Sequence, residues 1–353
     1  MFLIHVHSIN VEYSHAKAIP LKQLLERGEV KVNTANDSLR VRVTPYCNLK
    51  CGFCHDEGGD ESCQVKLDQI VEVTEFARKH GFAKFHLTGG EPTLHPDIID
   101  IVHIITGAGY PCGITTNGQF QPKLLSELKE AGVTSINFSI HTVETAAWAQ
   151  VQQHADTKKA EAQIARATAN VRESVSLGIR TKVNIVVGED PDLAIGVIEE
   201  LRGSGVEYRL LNVLGSNDSL ISISHILTHY SAEMEEEMRV MGSSQYRATY
   251  TSTVGNLVVK EIHQHRELTV CKGCKENCQE GFYGIRIIPM EDLLYARLCV
   301  HRTSGTTFMP LKQFETSPQL VATKASGGLN DEHKEVYFGK NHTTSTSVCG
   351  ARI

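Results

Sequence analysis

The stretch RVTPYCNLKCGFCHDEGG, residues 42–59, places three cysteines within eight residues at the spacing C-x3-C-x2-C. It follows an alternating run, LRVRVT at 39–44, that predicts a strand, so the cysteines lie on the loop after that strand. Three thiolates leave one coordination position of a metal centre open for a reactant, whereas four would close it. Cys47, Cys51 and Cys54 are therefore candidate ligands of a reactive metal centre.

The composition is that of an ordinary globular protein, with 353 residues, 41% hydrophobic, 22% charged and a formal net charge of −6. This balance gives no electrostatic footprint for nucleic acid or anionic membranes. No apolar run approaches the ~20 residues that span a bilayer, and MFLIHVH at the start is too short for a signal peptide. Ten cysteines, seven of them clustered, indicate metal binding in a reducing cytoplasm instead of a disulfide framework.

Strands alternate with helices beyond the cysteine loop, and several helices begin at proline and end at glycine. Further strands are predicted at 83–88, 111–116, 134–140, 180–187 and 207–214. Helices are predicted at 64–81, 96–109, 121–132, 157–178 and 192–205. An acidic, methionine-rich helix is also expected at 231–241.

Six strands alternating with helices predict an α/β fold with a parallel sheet and right-handed crossovers. Six units fall short of the eight that close a barrel, so we expect a partial (β/α)6 TIM-type barrel. The expected organisation is an N-terminal extension at 1–36, the partial barrel at 37–214 and a C-terminal region at 215–353.

The C-terminal region carries a second cysteine cluster. Cys271, Cys274 and Cys278 have the spacing C-x2-C-x3-C, and Cys299 follows at a distance. This pattern fits a structural zinc site or an auxiliary iron–sulfur cluster held by three or four of these cysteines. The first cluster has a comparable alternative, a zinc knuckle with a distant fourth ligand such as His55.

Four segments together resemble the radical SAM superfamily. They are CNLKCGFC at 47–54, LTGGEPTLHPD at 87–97, ITTNGQ at 114–119 and INFSIH at 136–141. All four follow the family's order and spacing within 38–214. The resemblance implies a [4Fe–4S] cluster on the three N-terminal cysteines, with its fourth iron bound to S-adenosylmethionine. Reductive cleavage of that cofactor gives a 5′-deoxyadenosyl radical, and an external donor of flavodoxin or ferredoxin type would supply the electron.

The resemblance also implies which residues contact the cofactor. Phe53 would shield the cluster, the glycine pair would let the backbone approach the methionyl group, and Ser139 would reach the ribose or carboxylate. The full set of expected cofactor contacts is Phe53, Gly89, Gly90, Glu91, Thr115, Asn117, Ser139, Asn184 and Leu214.

Within the superfamily the chain is most similar to the GTP 3′,8-cyclase type, which joins a six-unit partial barrel to a C-terminal auxiliary cluster. Of that type's substrate contacts, Arg40 and Lys182 are present, His86 replaces an arginine, and Arg286 is the nearest substitute for a missing Arg-x-Arg. Neither histidine nor a displaced arginine reproduces the rigid bidentate fork of arginine. GTP is therefore doubtful as the substrate, although the remaining cations favour an anion.

The leading hypothesis is a radical SAM enzyme, a cyclase or lyase, acting on a small anionic substrate such as a nucleotide. Cyclisation or carbon–carbon bond formation, as in nucleoside natural-product pathways, would follow hydrogen abstraction. GTP cyclisation itself and modification of a peptide are alternative activities. A cluster-bearing sensor or a zinc-stabilised binding protein would not need the GGEP and TTNG segments.

Overall fold

A computed structural model describes most of the chain between residues 38 and 320. The described residues are 38–52, 54, 63–153, 156–213, 216–239, 245–262, 285–298, 308–317 and 320. Several predictions lie outside them, namely those for residues 1–36, Phe53, His55, Leu214, Cys271, Cys274, Cys278 and Cys299.

The described strands form one sheet. Its six central strands are β1 (Ser38–Thr44), β2 (Lys84–Gly89), β3 (Cys112–Thr116), β4 (Ser135–Ser139), β5 (Arg180–Val187) and β6 (Glu207–Asn212). Six more are β7 (Glu233–Arg239), β8 (Gln245–Ser252), β9 (Gly255–Ile262), β10 (Ile285–Met290), β11 (Leu293–Arg297) and β12 (Phe308–Pro310). The spatial order is β12-β11-β10-β1-β2-β3-β4-β5-β6-β9-β8-β7.

The central eight strands, from β10 through β1–β6 to β9, all pair in parallel. The pairs β10–β11, β11–β12, β7–β8 and β8–β9 are antiparallel. Strands β9 and β10 are not neighbours in the sheet, so the barrel is open. The predicted partial barrel is confirmed, and strands of the predicted C-terminal region extend the same sheet at both ends.

Helices cover one face of the sheet. They are α1 (Leu67–His80), α2 (Ile98–Gly107), α3 (Lys123–Glu130), α4 (Thr145–Val151), α5 (Thr157–Ser176), α6 (Pro191–Glu200), α7 (Asn217–His229) and α8 (Leu311–Glu315). Alternate strand residues such as Leu39, Val41 and Phe85 are buried in one apolar core with helix residues such as Ile70 and Ile101. Since side chains alternate along a strand, the residues between them point to the opposite, interior face.

Each crossover helix ends where its sequence allows the chain to turn back. Helix α1 ends at Gly81, whose φ of 65° lies in the left-handed region that favours glycine. Helix α6 begins with Pro191, and the Asp190 side chain accepts a hydrogen bond from the Asp192 backbone N–H as an N-cap. The Gly81 cap leads into the start of β2 and the Asp190 cap follows the end of β5. The parallel strands therefore all run in the same direction, and their carboxyl ends meet at the edge where the cysteine loop lies.

The predicted helix at 231–241 is wrong in its described part, because residues 233–239 form strand β7. The segment pairs with β8 in antiparallel register, from Glu233 opposite Thr251 to Arg239 opposite Tyr246. Strand pairing overrides the local preference of its glutamates and methionines for helix. The acidic side chains then lie on the last strand of the sheet, where charge discourages further pairing. No helix in the described ranges is long and apolar enough to cross a membrane.

Candidate active site

The loop that carries the three cysteines begins where strand β1 meets the turn after β2. The Gly90 N–H donates to the Thr44 carbonyl at 2.9 Å, and the Glu91 N–H donates to the Tyr46 carbonyl at 2.7 Å. A Cβ on Gly90 would lie 2.3 Å from the Tyr46 carbonyl oxygen. One on Gly89, whose φ is +146°, would lie 2.3 Å from the Thr44 carbonyl oxygen. Both glycines therefore permit a backbone contact that no side chain allows, and this contact fixes the start of the loop.

Glu91 is buried and links the GGEP turn after β2 to the TTNG turn after β3. Its side chain is 1% exposed. One carboxylate oxygen accepts from the Thr93 N–H and hydroxyl and from the Thr116 hydroxyl, and the other accepts from the Asn117 N–H. Burial raises the pKa of this carboxyl, and the four donors partly offset that effect. In the described contacts Glu91 is thus a brace between the turns after β2 and β3.

The turn after β3 reaches the cysteine loop through Asn117. Its side-chain N–H donates to the Asn48 side-chain oxygen at 2.8 Å and lies 3.8 Å from the Cys47 sulfur. Asn48 in turn donates to the Gln119 carbonyl at 3.2 Å. The predicted residues Gly89, Gly90, Glu91 and Asn117 are therefore brought together around the loop.

The end of helix α4 also holds the cysteine loop in place. The sequence analysis did not predict this helix. The buried Gln152 side chain accepts from the Lys50 N–H at 3.1 Å and donates to the Cys51 sulfur at 3.1 Å. The Gly52 N–H donates to the Val151 carbonyl at 2.9 Å. The loop is thus held on both sides, by the turns after β2 and β3 and by helix α4.

The three thiols lie close enough for their charges to interact. Cys47 is exposed by surface area, yet its pKa is raised to about 11, mainly by desolvation of its sulfur. The hydrogen bond from the Leu49 N–H opposes this shift, while the charges of Glu91, Cys51 and Cys54 add to it. Burial likewise raises the pKa of Cys51. A bound metal centre would stabilise the thiolate forms against this repulsion and desolvation. The N–H groups that donate to the sulfurs of Cys47 and Cys51 are also the contacts that tune iron–sulfur clusters.

The geometry does not fit a single bound ion. Within the described residues no three His, Cys, Asp or Glu side chains form a group that could hold one metal ion. A cluster with several irons differs from a single ion in that each thiolate binds a different iron. The zinc-knuckle alternative depends on His55, which lies outside the described residues.

Polar residues line the interior face beside this loop. Ser139, the last residue of β4, pairs in register with Asn184 on β5. Deeper in, the His86 Nε2 lies 2.6 Å from the Thr115 hydroxyl and 3.5 Å from the Asn137 Nδ2. Two predicted residues, His86 and Thr115, are therefore direct partners.

Cations occupy the same interior face further from the loop. Arg40, Lys182 and Arg209 are each the third residue of their strands, β1, β5 and β6. Arg286 pairs in register with Arg40 across β10 and β1, so the two share a face. Lys182 and Arg286 are buried, at 9% and 6% exposure. The predicted substrate contacts Arg40, Lys182 and Arg286 thus lie on one surface.

Burial and neighbouring cations change the charge of this surface. The pKa of Lys182 falls to about 8 through desolvation and the nearby Arg209 and Arg180 guanidinium groups, while Glu207 opposes the shift. The Glu207 carboxylate accepts from the Arg209 Nε at 2.6 Å. Arg247 on β8 pairs in register with Lys260 on β9, and Lys260 pairs with Leu211 on β6, so both extend the same surface. We define the cationic face as Arg40, Lys182, Arg209, Arg247 and Lys260.

Sequence reasoning missed several of these residues. Nothing in the local sequence identifies Gln152 as a partner of Cys51, since 101 positions separate them. Arg209 stands in an alternating run, EYRLLN, which shows that it shares a face with Glu207 but not which face is interior. Arg247 and Lys260 lie beyond the segment that resembles a known family.

Comparisons with known proteins agree with this geometry. The profile of the Radical SAM superfamily matches residues 41–201. A probable GTP 3′,8-cyclase of Saccharolobus solfataricus is 30% identical over 256 residues, which cover 67% of this chain and 78% of that protein. A probable GTP 3′,8-cyclase of Thermoplasma volcanium is 44% identical over 112 residues, but the match spans only 33% of that protein and 30% of this chain.

The fold is also shared with a solved structure. The crystal structure of Streptococcus suis SuiB bound to S-adenosylmethionine superposes with a TM-score of 0.56 at 14% identity. The superposition covers 85% of this chain and 68% of SuiB. This similarity concerns the fold alone. With the sequence matches, it places the chain in the radical SAM superfamily, whose enzymes use a [4Fe–4S] cluster and S-adenosylmethionine.

Proposed function

We propose that this enzyme abstracts hydrogen from a small anionic substrate, a nucleotide or nucleoside phosphate, and directs the resulting substrate radical to cyclisation or carbon–carbon bond formation. Cys47, Cys51 and Cys54 would hold the [4Fe–4S] cluster. When bound, the reduced cluster supplies one electron that cleaves S-adenosylmethionine into methionine and the 5′-deoxyadenosyl radical, which takes hydrogen from substrate carbon. The protein's own residues bind, orient and shield these groups.

The carboxyl end of the sheet supplies the cofactor contacts. The Gly89-Gly90 turn packs on the β1 terminus and offers a backbone edge next to the cysteine loop. Ser139 at the end of β4 and its register partner Asn184 on β5 would offer polar groups for a ribose or a carboxylate. Asn117 lies beside Cys47, where it would border the cofactor or cluster.

One observation carries the choice of an anionic substrate, namely the cationic face below the cysteine loop. Arg40 lies four residues before Thr44 on β1, a distance of ~13 Å at ~3.3 Å per residue. An elongated molecule could place its anionic end on Arg40 and Lys182 and its reacting carbon near the loop. A nucleotide has the length and the charge for this placement.

The relatives named probable GTP 3′,8-cyclase make a nucleotide the first class to test. GTP itself is less well supported, because His86 hydrogen-bonds with Thr115 where that type has an arginine. Loss of a charge-assisted contact typically costs ~1.5–3 kcal/mol of binding. A different phosphorylated nucleoside, as in natural-product biosynthesis, fits the altered cation set better.

Two further parts belong to the same proposal. Cys271, Cys274, Cys278 and Cys299 would hold an auxiliary [4Fe–4S] cluster, which touches the substrate if only three of them bind it. A flavodoxin- or ferredoxin-type protein would supply the electron. Both parts concern residues or partners outside the described structure.

Anaerobic reconstitution followed by reaction with dithionite, S-adenosylmethionine and a panel of nucleotides tests the proposal. We expect ~8 irons per chain and 5′-deoxyadenosine formation that one nucleotide stimulates. A substrate labelled with deuterium should transfer its label into 5′-deoxyadenosine. No cleavage of S-adenosylmethionine would refute the radical chemistry, and stimulation by peptides alone would refute the substrate class.

A further inference from the structure

The hairpin of β8 and β9 adds two cations to the interior face that the family resemblance does not account for. Arg247 on β8 pairs in register with Lys260 on β9. Lys260 pairs in turn with Leu211 on β6, two residues from Arg209. Both hairpin residues lie outside the 41–201 segment that the superfamily profile matches.

Cations from four other strands surround Lys260. Desolvation and the charges of Arg209, Arg40, Arg247 and Lys182 lower its pKa to about 7. Arg40 acts on Lys260 from β1, which is separated from β9 in the sheet by β2–β6. Glu207, the acid beside this group, already binds Arg209, and their side chains are only 20% and 13% exposed.

The Arg247 side chain has an unsatisfied hydrogen-bond donor. The Arg247 Nε is buried and has no hydrogen-bond partner among the described residues. A buried donor without a partner costs free energy, and so does the crowding of like charges. A bound anion would relieve both costs at once.

We propose that Arg247 and Lys260, together with Lys182, form a subsite for a dianionic phosphoryl group of the substrate. This inference rests on the proposed function for the identity of the substrate. The binding of a dianion by these cations does not depend on that function. An arginine fork beside two ammonium groups matches the tetrahedral oxygens of a phosphoryl group. A dianion offsets two of the crowded positive charges, whereas a carboxylate offsets one. The subsite thus selects phosphorylated molecules over monoanionic ones.

The charges also predict proton uptake on binding. At pH 8 the Lys260 amine is mostly neutral, and a bound dianion favours its protonated form. Affinity should therefore be highest below pH 7 and should fall as the pH rises through that value. The cations facing Lys260 are Arg40 on β1, Lys182 on β5, Arg209 on β6 and Arg247 on β8.

Sulfate is the probe, because it remains a dianion from pH 6 to pH 8.5 and any pH dependence then reports on the protein. Calorimetry on the reconstituted full-length chain, without reductant, measures its binding. We expect binding to weaken at least about tenfold in Lys260→Met and Arg247→Met, the loss of one charge-assisted contact. The exposed residues Lys158 and Arg166 provide matched controls, and Lys158→Met and Arg166→Met should bind as the wild type does.

Lys260→Arg keeps the proposal testable if the methionine variants fold poorly. It holds its charge at every pH tested, so the fall in sulfate affinity around pH 7 should disappear, and only a later fall as Lys182 loses its proton near pH 8 should remain. Unchanged affinity in both methionine variants, or equal competition by acetate, would overturn the subsite. Cleavage of S-adenosylmethionine by the wild type is measured separately. If cleavage fails while sulfate binds through Lys260, the proposed function falls and the subsite stands.

Discussion

The two ends of the interior face are built in different ways. At the carboxyl end, which comprises the cysteine loop and the turns after β2 and β3, backbone groups and neutral amides make most of the contacts. On the cationic face, charged side chains from five strands converge. The first arrangement suits a cluster that must keep a fixed geometry. The second suits a substrate that brings its own negative charge and completes the site.

Removal of the Cys51 thiol should have the largest effect, and it tests whether the carboxyl end holds a cluster. Cys51→Ala should abolish 5′-deoxyadenosine formation and reduce the iron content by ~4 per chain, because two thiolates do not retain the cluster. Iron analysis and chromatography measure both. Cys63→Ala is the control, since Cys63 accepts from the Glu291 N–H and should not affect either value. Normal iron content in Cys51→Ala would show that the cluster is held elsewhere.

Substitution at the backbone contact between Gly90 and Tyr46 should have the next largest effect. Gly90→Ala places a methyl group against the Tyr46 carbonyl, so we expect a loss of at least ~3 kcal/mol in the free energy of unfolding. Urea titration measures this loss. Gly107→Ala is the matched control at the end of α2, where nothing lies within 4 Å, and it should change stability by at most ~1 kcal/mol. Similar values for the two variants would contradict the close approach.

Gln152→Glu tests the clamp on the cysteine loop with a change of only one atom and one charge. A carboxylate still accepts from the Lys50 N–H but cannot donate to Cys51, and its charge repels the thiolate. The reconstituted cluster should therefore have a lower reduction potential and lose iron faster, as followed by electron paramagnetic resonance. Gln150→Glu makes the same change at an exposed position of α4 and should match the wild type. A potential unchanged in Gln152→Glu would remove Gln152 from the cluster's surroundings.

The smallest expected effect concerns the stability cost of the cationic face. The pKa of Lys260 is lowered from 10.5 to about 7, so the unfolded chain holds this proton more tightly than the folded one. The folded state is therefore penalised below pH 7, and the penalty disappears as the pH approaches 10.5. Lys260→Met should stabilise the substrate-free protein by ~1–2 kcal/mol at pH 6 and by less at pH 9. Thermal unfolding at the two pH values measures this, and a destabilised variant at pH 6 would refute the charge crowding.

Much of the carboxyl end could be predicted because its residues are contiguous. The three cysteines, the glycine pair and Asn117 each stand in a short motif whose spacing follows from the end of one strand. Parallel strands bring these ends to one edge, so the sequence order already implies that they meet. What the motif did not reveal is that Gly89 and Gly90 pack on the β1 backbone, or that Glu91 is a buried brace.

The segment at 231–239 illustrates the opposite case. Its glutamates and methionines favour a helix locally, yet it forms β7 because β8 offers a strand to pair with. The same hairpin brings Arg247 and Lys260 to the interior. No local pattern reveals this, because the decisive partner of each residue lies on another strand.

The sequence by itself determined the order of strands and helices, the three-thiol loop and the turns beside it. These features depend on period, spacing and the conformational freedom of glycine, which are local properties of the chain. Only the tertiary structure decided that β9 and β10 extend the sheet, that Gln152 clamps Cys51, and that the cations of β1, β5, β6, β8 and β9 meet. Curvature of the sheet brings those distant strands together, and curvature is a property of the whole sheet and not of any one segment.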